Sequence, residues 1–368
     1  MQSFCPLAQT RQAQDAIYFI AIALVAHRAA VHCPGRGNAV FGAGDRDPRY
    51  KGGMQNTAPI LITPRHADLG HGLMVRRLLP AAVQRSVGPF VFFDHAGPVT
   101  LTAEDTSVAD VRPHPHIGLA TVSYLLSGEI IHRDSLGTHI RIQPGAVNWM
   151  TAGRGIAHSE RFEHPASFAG GGLELLQLWV ALPESQEECE PAFAHTAADA
   201  LPVRDADCAW LRVVAGTVYG LSSPVQTLSP LFYVHAEMQG GAQLPLPDGY
   251  SERAAYVVRG AVEHGATRSK AGEMLGFAPG APGHFTVPLA STIMLLGGEP
   301  LGHRHLFWNF VSSSRERIEQ AKQDWTAGRF QLPPNDNQEW IPLPGTPEAP
   351  AAPSNQPGAG SVPPANAS

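Results

Sequence analysis

Residues Val111 to Arg161 read VRPHPHIGLATVSYLLSGEIIHRDSLGTHIRIQPGAVNWMTAGRGIAHSER. The stretch opens on His114-Pro115-His116 and closes on His158-Ser159-Glu160, with an apolar alternation broken by glycines between them. Side chains two apart share one face of an extended strand, so each pair presents both members to the same side. Two pairs facing each other across a small barrel would bring three imidazoles and a carboxylate to one point. A divalent transition metal needs such donors at about 2 Å, and barrel strands supply them from rigid backbone. Gly153 and Gly155, just before the second pair, allow a tight turn. The candidate ligands are therefore His114, His116, His158 and Glu160.

The flanking sequence has the same texture. Pro59–Ile62, Met74–Leu79 and Val87–His95 (VGPFVFFDH) read as short strands, as do Val147–Met150 and Leu173–Leu182 (LELLQLWVAL). The 37 glycines and 33 prolines suit many turns joining short strands. An all-β barrel or sandwich follows. Residues 186–205 are acidic and Pro-containing and read as a linker to a second unit, residues 206–344. RAAYVVRG at Arg253–Gly260 parallels TVSYLLSG at Thr121–Gly128, a weak internal repeat. Near the end, 313–328 reads as a helix: Ser313 with Glu316 matches a capping box, Ile318, Ala321 and Trp325 form an apolar stripe, and Gly328 suits its close.

Both termini read as outside the fold. In residues 1–57, AIYFIAIALVA (Ala16–Ala26) is far shorter than the roughly 20 residues a membrane-spanning helix needs. It suits a signal core, a disordered extension, or sequence upstream of a true start at Met54. Residues 345–368 are Pro/Ala-rich and too poor in apolar bulk to fold.

Composition narrows the function. A net charge of −6 without any basic run argues against direct nucleic-acid binding. Cys5, Cys33, Cys189 and Cys208 show no CxxC spacing and read as isolated reduced thiols in a cytoplasmic protein. No GxSxG, HExxH, Walker or dinucleotide glycine pattern appears. Three other clusters rank below the main set. His303 and His305 form a second HxH without a matching partner pair, expected at a polar rim or as buried, hydrogen-bonded histidines. His132, Arg133 and Asp134 read first as a solvated loop and second as support for the ligands. Asp94 and His95 end an apolar run, either lining a pocket mouth or closing the strand.

With these residues in view, HPHIGLATVSYLLSGEIIHRDSLG followed by PGAVNWMTAGRGIAHSER resembles the signature of the pirin family of the cupin superfamily. RRLLP at Arg76–Pro80, VGPFVFFDH, LQLWVALP at Leu176–Pro183, LLGGEPL and FWNFVSSSRERIEQAKQDW extend the likeness over about Ile60–Pro344. The resemblance implies a bicupin: two tandem antiparallel β-barrels with a short C-terminal helix, and metal only in the barrel spanning 58–185. It implies the same four ligands. Where many pirins carry a Glu after the HxH this chain has Ala120, which puts polarity near the site in doubt.

Bacterial pirins are similar to quercetin 2,3-dioxygenases. The expected cofactor is one divalent transition metal, Fe(II) before Ni, Mn, Cu or Zn, because open positions with N/O donors suit dioxygen chemistry. Glu160 would also act as general base on a small planar aromatic substrate, with Phe92 and Phe93 as candidate packing residues. The competing expectation is a metal-binding regulatory protein with a protein partner and no turnover.

Overall fold

The computed structural model describes residues 58–68, 74–100, 110–162, 172–277, 281 and 283–346. The expectations for 1–57 and for nearly all of the tail lie outside the described residues. In the first half the strands are β1 (Ile60–Ile62), β2 (Arg65–Asp68), β3 (Met74–Leu79), β4 (Phe90–Val99), β5 (Val111–His116), β6 (Leu119–Ser127), β7 (Ile130–Asp134), β8 (His139–Ile142), β9 (Val147–Thr151), β10 (Ile156–Arg161), β11 (Leu173–Ala181) and β12 (Ala192–Thr196). In the second half they are β13 (Val203–Ala206), β14 (Ala209–Val218), β15 (Leu221–Ser222), β16 (Leu231–Met238), β17 (Gln243–Pro245), β18 (Glu252–Arg259), β19 (Ala261–His264), β20 (Thr267–Lys270), β21 (Met274–Phe277), β22 (His284–Thr286), β23 (Ser291–Gly298), β24 (His305–Phe307) and β25 (Phe310–Ser312). The α-helix among the described residues, α1, spans Arg315–Thr326.

The strands form two barrels of matching design. In the first, a large sheet ordered β12-β9-β6-β11-β4-β3-β2 faces a small sheet ordered β5-β10-β7-β8. In the second, β1-β21-β18-β23-β16-β14-β13 faces β17-β22-β19-β20. The two orders superpose strand for strand, and each large sheet takes one edge strand from outside its own stretch of sequence. Ile60–Ile62, ahead of the first barrel, pairs with β21 of the second, and Ala192–Thr196, inside the expected linker, pairs with β9 of the first. Alternation along the strands divides the apolar residues between two destinations. Phe93, Tyr124 and Leu178 from the first large sheet meet Tyr233, Tyr256 and Met294 from the second in a core between the barrels. Phe92, Leu125 and Trp179 point the other way, into the first barrel. The second barrel is filled by its own set, including Leu244 and Phe285.

The C-terminal segment returns to the first barrel. Phe310, Ile318, Ala321 and Trp325 pack on Ile117 and Ala157. The approach is close at Gly118, whose φ is +66° and where a Cβ would lie 2.0 Å from the Val311 carbonyl oxygen. Helix α1 is capped by Ser314, whose hydroxyl accepts from the Arg317 N–H at 3.2 Å, and not by the expected Ser313–Glu316 box. The reason is local: both the N–H and the hydroxyl of Ser313 are bonded to the buried Glu187 carboxylate, so the helix starts one residue later. Cys189 carries a free thiol, but Cys208 is disulfide-bonded, which corrects the expectation of isolated thiols at that position. No helix among the described residues is long and apolar enough to cross a membrane.

Candidate metal centre

Strands β5 and β10 pair antiparallel with His158 opposite His114 and Ile156 opposite His116. Alternation then puts the three imidazoles on the inner face of the first barrel, each at most 1% exposed. Ring centroids stand 4.3 Å apart for His114–His158 and 5.0 Å for His116–His158. Among the described residues these three form the group of potential donors whose ligating atoms all lie within 4.8 Å of one another.

Glu160, 4% exposed, follows on the same strand. A register shift separates it from His158, so its carboxylate stands apart from that tight group. Its Oε1 accepts a long bond of 3.4 Å from the Ser123 hydroxyl, and its Oε2 is buried with no hydrogen-bond partner among the described residues. Burial pushes the Glu160 carboxyl up to about 7, with the Ser123 bond pulling the other way.

These donors fit a metal ion. His116 Nδ1 faces the Asn309 carbonyl at 3.1 Å, and a carbonyl can only accept, so the ring proton sits on Nδ1 and Nε2 is bare. His114 Nδ1 likewise faces the Arg112 carbonyl at 3.0 Å. His116 Nε2 and His158 Nε2 stand only 3.1 Å apart in a buried space, a close approach that a shared cation stabilises. Burial lowers the His114 imidazole to about 4, and burial with mutual repulsion takes His116 and His158 well below the ordinary value. All three are therefore neutral at neutral pH, the form that ligates.

The surroundings sort the remaining candidates. Trp179 stands edge-on to His116 at 5.4 Å, and Phe92 stacks on Trp179 at 4.1 Å. Phe92 thus backs the site through Trp179, while Phe93 lies in the core between the barrels against Tyr256. Adjacent strand residues point to opposite faces, and the sequence pattern does not say which face is which. For the same reason Ala120 packs between the barrels and does not bear on polarity at the site.

Asp94 and His95 do not end a strand, because β4 runs on to Val99. His95 donates from Nε2 to Glu174 at 3.0 Å and accepts at Nδ1 from the Tyr256 hydroxyl at 2.6 Å, joining the two barrels. Asp94 is buried and paired with Arg77 at 2.8 Å. His303 is exposed and His305 half-buried, consistent with a rim position.

The solvated-loop reading of His132–Asp134 is overturned. The segment is strand β7, with His132 4% and Asp134 0% exposed, directly beside β10. Also missed were Ser123 and Gln177, buried polar residues inside apolar strands and bonded to each other at 2.8 Å. Their signal was a polar residue on the inward register of each strand. Asn309 had no signal at all, because its contact to His116 runs through a backbone carbonyl.

With this geometry in hand, comparison with known proteins is informative. The pirin family model matches residues 72–180, and the pirin C-terminal cupin domain model matches residues 233–331. A pirin-like protein from Caulobacter vibrioides is 50% identical over 286 residues, covering 77% of this chain and 99% of that protein. A putative quercetin 2,3-dioxygenase from Pseudomonas aeruginosa is 35% identical, covering 73% of this chain and 83% of its own length. Among solved structures, a quercetin 2,3-dioxygenase from Acinetobacter baumannii is similar with a TM-score of 0.71 at 31% identity, covering 79% of this chain and 97% of its own.

Proposed function

The chain belongs to the pirin family, and from that premise we propose that it is a metal-dependent dioxygenase opening the ring of a flavonol of the quercetin type. The observation that carries this reading is the convergence of three buried, neutral imidazoles inside the first barrel. His114, His116 and His158 would hold one divalent transition metal, with Glu160 as the fourth ligand. Fe(II) is the ion we propose, with Ni, Mn, Cu and Zn as its competitors for an N/O donor set. Such an ion with open positions supplies the means of bringing an electron-rich flavonolate and dioxygen together.

The chain's own residues do the rest. Glu160 accepts the proton of the flavonol 3-hydroxyl at Oε2, which has no hydrogen-bond partner among the described residues. Ser123, whose hydroxyl lies within hydrogen-bond reach of both Glu160 and Gln177, flanks that carboxylate. Trp179, supported by Phe92, presents an aromatic surface to a planar substrate. The surrounding apolar side chains keep bulk water from the reacting groups. We further propose that the protein acts without binding nucleic acid directly, in keeping with its net charge of −6, and we retain a cytoplasmic location as part of the proposal.

The test is aerobic incubation of Fe-, Ni-, Mn- and Cu-loaded protein with quercetin, following loss of flavonol absorbance and release of carbon monoxide. Turnover that falls by about 10²–10⁴-fold in Glu160→Gln, with one metal per chain retained, supports the assignment of Glu160 as base. If every form holds one metal per chain and none turns over, the dioxygenase reading fails. A metal-binding protein acting through a protein partner then takes its place.

A further inference from the structure

We propose that His132 and Asp134 form a positioning pair that fixes the tautomer and ring orientation of His158, and thereby sets how tightly the site holds its metal. The inference rests on the metal reading above but not on turnover.

A ligating imidazole must carry its proton on the nitrogen that faces away from the metal, and a fixed acceptor there determines both tautomer and orientation. For His114 and His116 the acceptors are backbone carbonyls, of Arg112 and Asn309. His158 is different: its Nδ1 faces the Nδ1 of His132 at 3.4 Å. An imidazole can accept at Nδ1 only if its own proton sits on Nε2. Asp134 enforces that arrangement, since its Oδ2 lies 3.0 Å from His132 Nε2 and an ionised carboxylate can only accept. The donors therefore run in one direction, from His158 Nδ1 to His132, and from His132 Nε2 to Asp134.

The pair is itself held. Asp134 Oδ1 accepts from the backbone N–H of Leu136 at 2.9 Å and of Thr138 at 3.1 Å. The His132 ring stacks on Phe193 of β12 at 4.4 Å, with the planes 21° apart. Strand register does the placing: on β7, Asp134 lies opposite His158 and His132 opposite Glu160. Deep burial of both residues keeps water from substituting for the acceptor. A carbonyl acceptor cannot be removed by substitution, but a side-chain acceptor can, so His158 is the ligand at which affinity is adjustable.

The experiment measures metal affinity and ligand field without any substrate. Ni(II) affinity is read by chelator competition, and the Co(II)-loaded protein by its visible spectrum, in the unmodified chain, His132→Phe, His132→Gln and Asp134→Asn. His132→Phe keeps a ring against Phe193 but has no acceptor, and is expected to weaken Ni(II) binding about 10–100-fold and shift the Co(II) bands. His132→Gln, whose carbonyl can accept from His158, is expected to restore most of the affinity, with Asp134→Asn between the two. Unchanged affinity in His132→Phe, or equal losses in the Phe and Gln variants, would overturn the proposal. If His132→Phe fails to fold by circular dichroism, Asp134→Asn decides, and wild-type affinity there overturns it. Failure of the unmodified chain to bind Ni(II) or Co(II) sinks the metal reading itself, a result distinct from loss in the variants alone.

Discussion

The two barrels share one plan and differ in what fills it. In the small sheet of the first, β5 and β10 face each other with His114 opposite His158. In the second, the matching strands β17 and β22 put Leu244 opposite Phe285, both buried in an apolar interior. The scaffold therefore carries no chemistry of its own. A few inward positions decide whether the interior is a ligand cage or a packed core, because either a neutral donor set shared with a cation or a dry apolar filling satisfies a buried space. The price of the first solution is visible around it, in the acceptors recruited for each imidazole.

Breaking the cage gives the largest effect. His158→Ala is expected to retain no stoichiometric metal after dialysis, measured by elemental analysis, with the metal-free fold intact by circular dichroism. Full retention would sink the ligand assignment.

Next, Phe285→His places an imidazole where the second barrel has packing. It should cost about 3–5 kcal/mol in denaturant unfolding and create no second metal equivalent, since the described residues packed in that barrel's core are apolar. A second bound metal would break the comparison.

The exchanged edge strand supplies a third test. Ile62, fully buried in the core between the barrels, lies ahead of the first barrel but pairs in the second. Ile62→Ala is expected to cost about 2–4 kcal/mol. Faster amide exchange should appear in β21, with β9 left protected.

The smallest effect concerns the seam. Burial holds the His95 imidazole near 4 against an ordinary 6.5, with the Glu174 bond opposing. The unfolded chain thus binds the extra proton between those values, so the contribution is intact above pH 6.5 and is lost as pH falls towards 4. The loss is at most on the order of 3 kcal/mol. His95→Gln should flatten the pH dependence of the melting temperature in that window, and an unchanged slope would remove His95 as its source.

Legibility followed the range of the interaction. Strand period and two-residue spacing made His114, His116 and His158 readable as a group, because side chains two apart share a face, while Glu160 stands apart from that group across a register shift. The pattern of a helix near 313–328 was readable too, although the cap moved from Ser313 to Ser314 once Glu187, over a hundred residues earlier, claimed Ser313. Phe92 and Phe93 were indistinguishable in the sequence, since alternation says that they part but not which one meets the site. His132 and Asp134 sit among turn residues, and nothing local reveals that β10 buries them.

By itself, then, the chain's sequence determined an all-β architecture, the paired histidine motifs on its strands and the resemblance to pirins. The tertiary structure alone decided how those motifs are supported. It set Asn309, from the far end of the chain, behind His116, and His132 behind His158. It also exchanged the edge strands that tie the barrels together. The physical reason is that a strand's period is a local property of the backbone, whereas an acceptor's position depends on which distant strand comes to lie alongside.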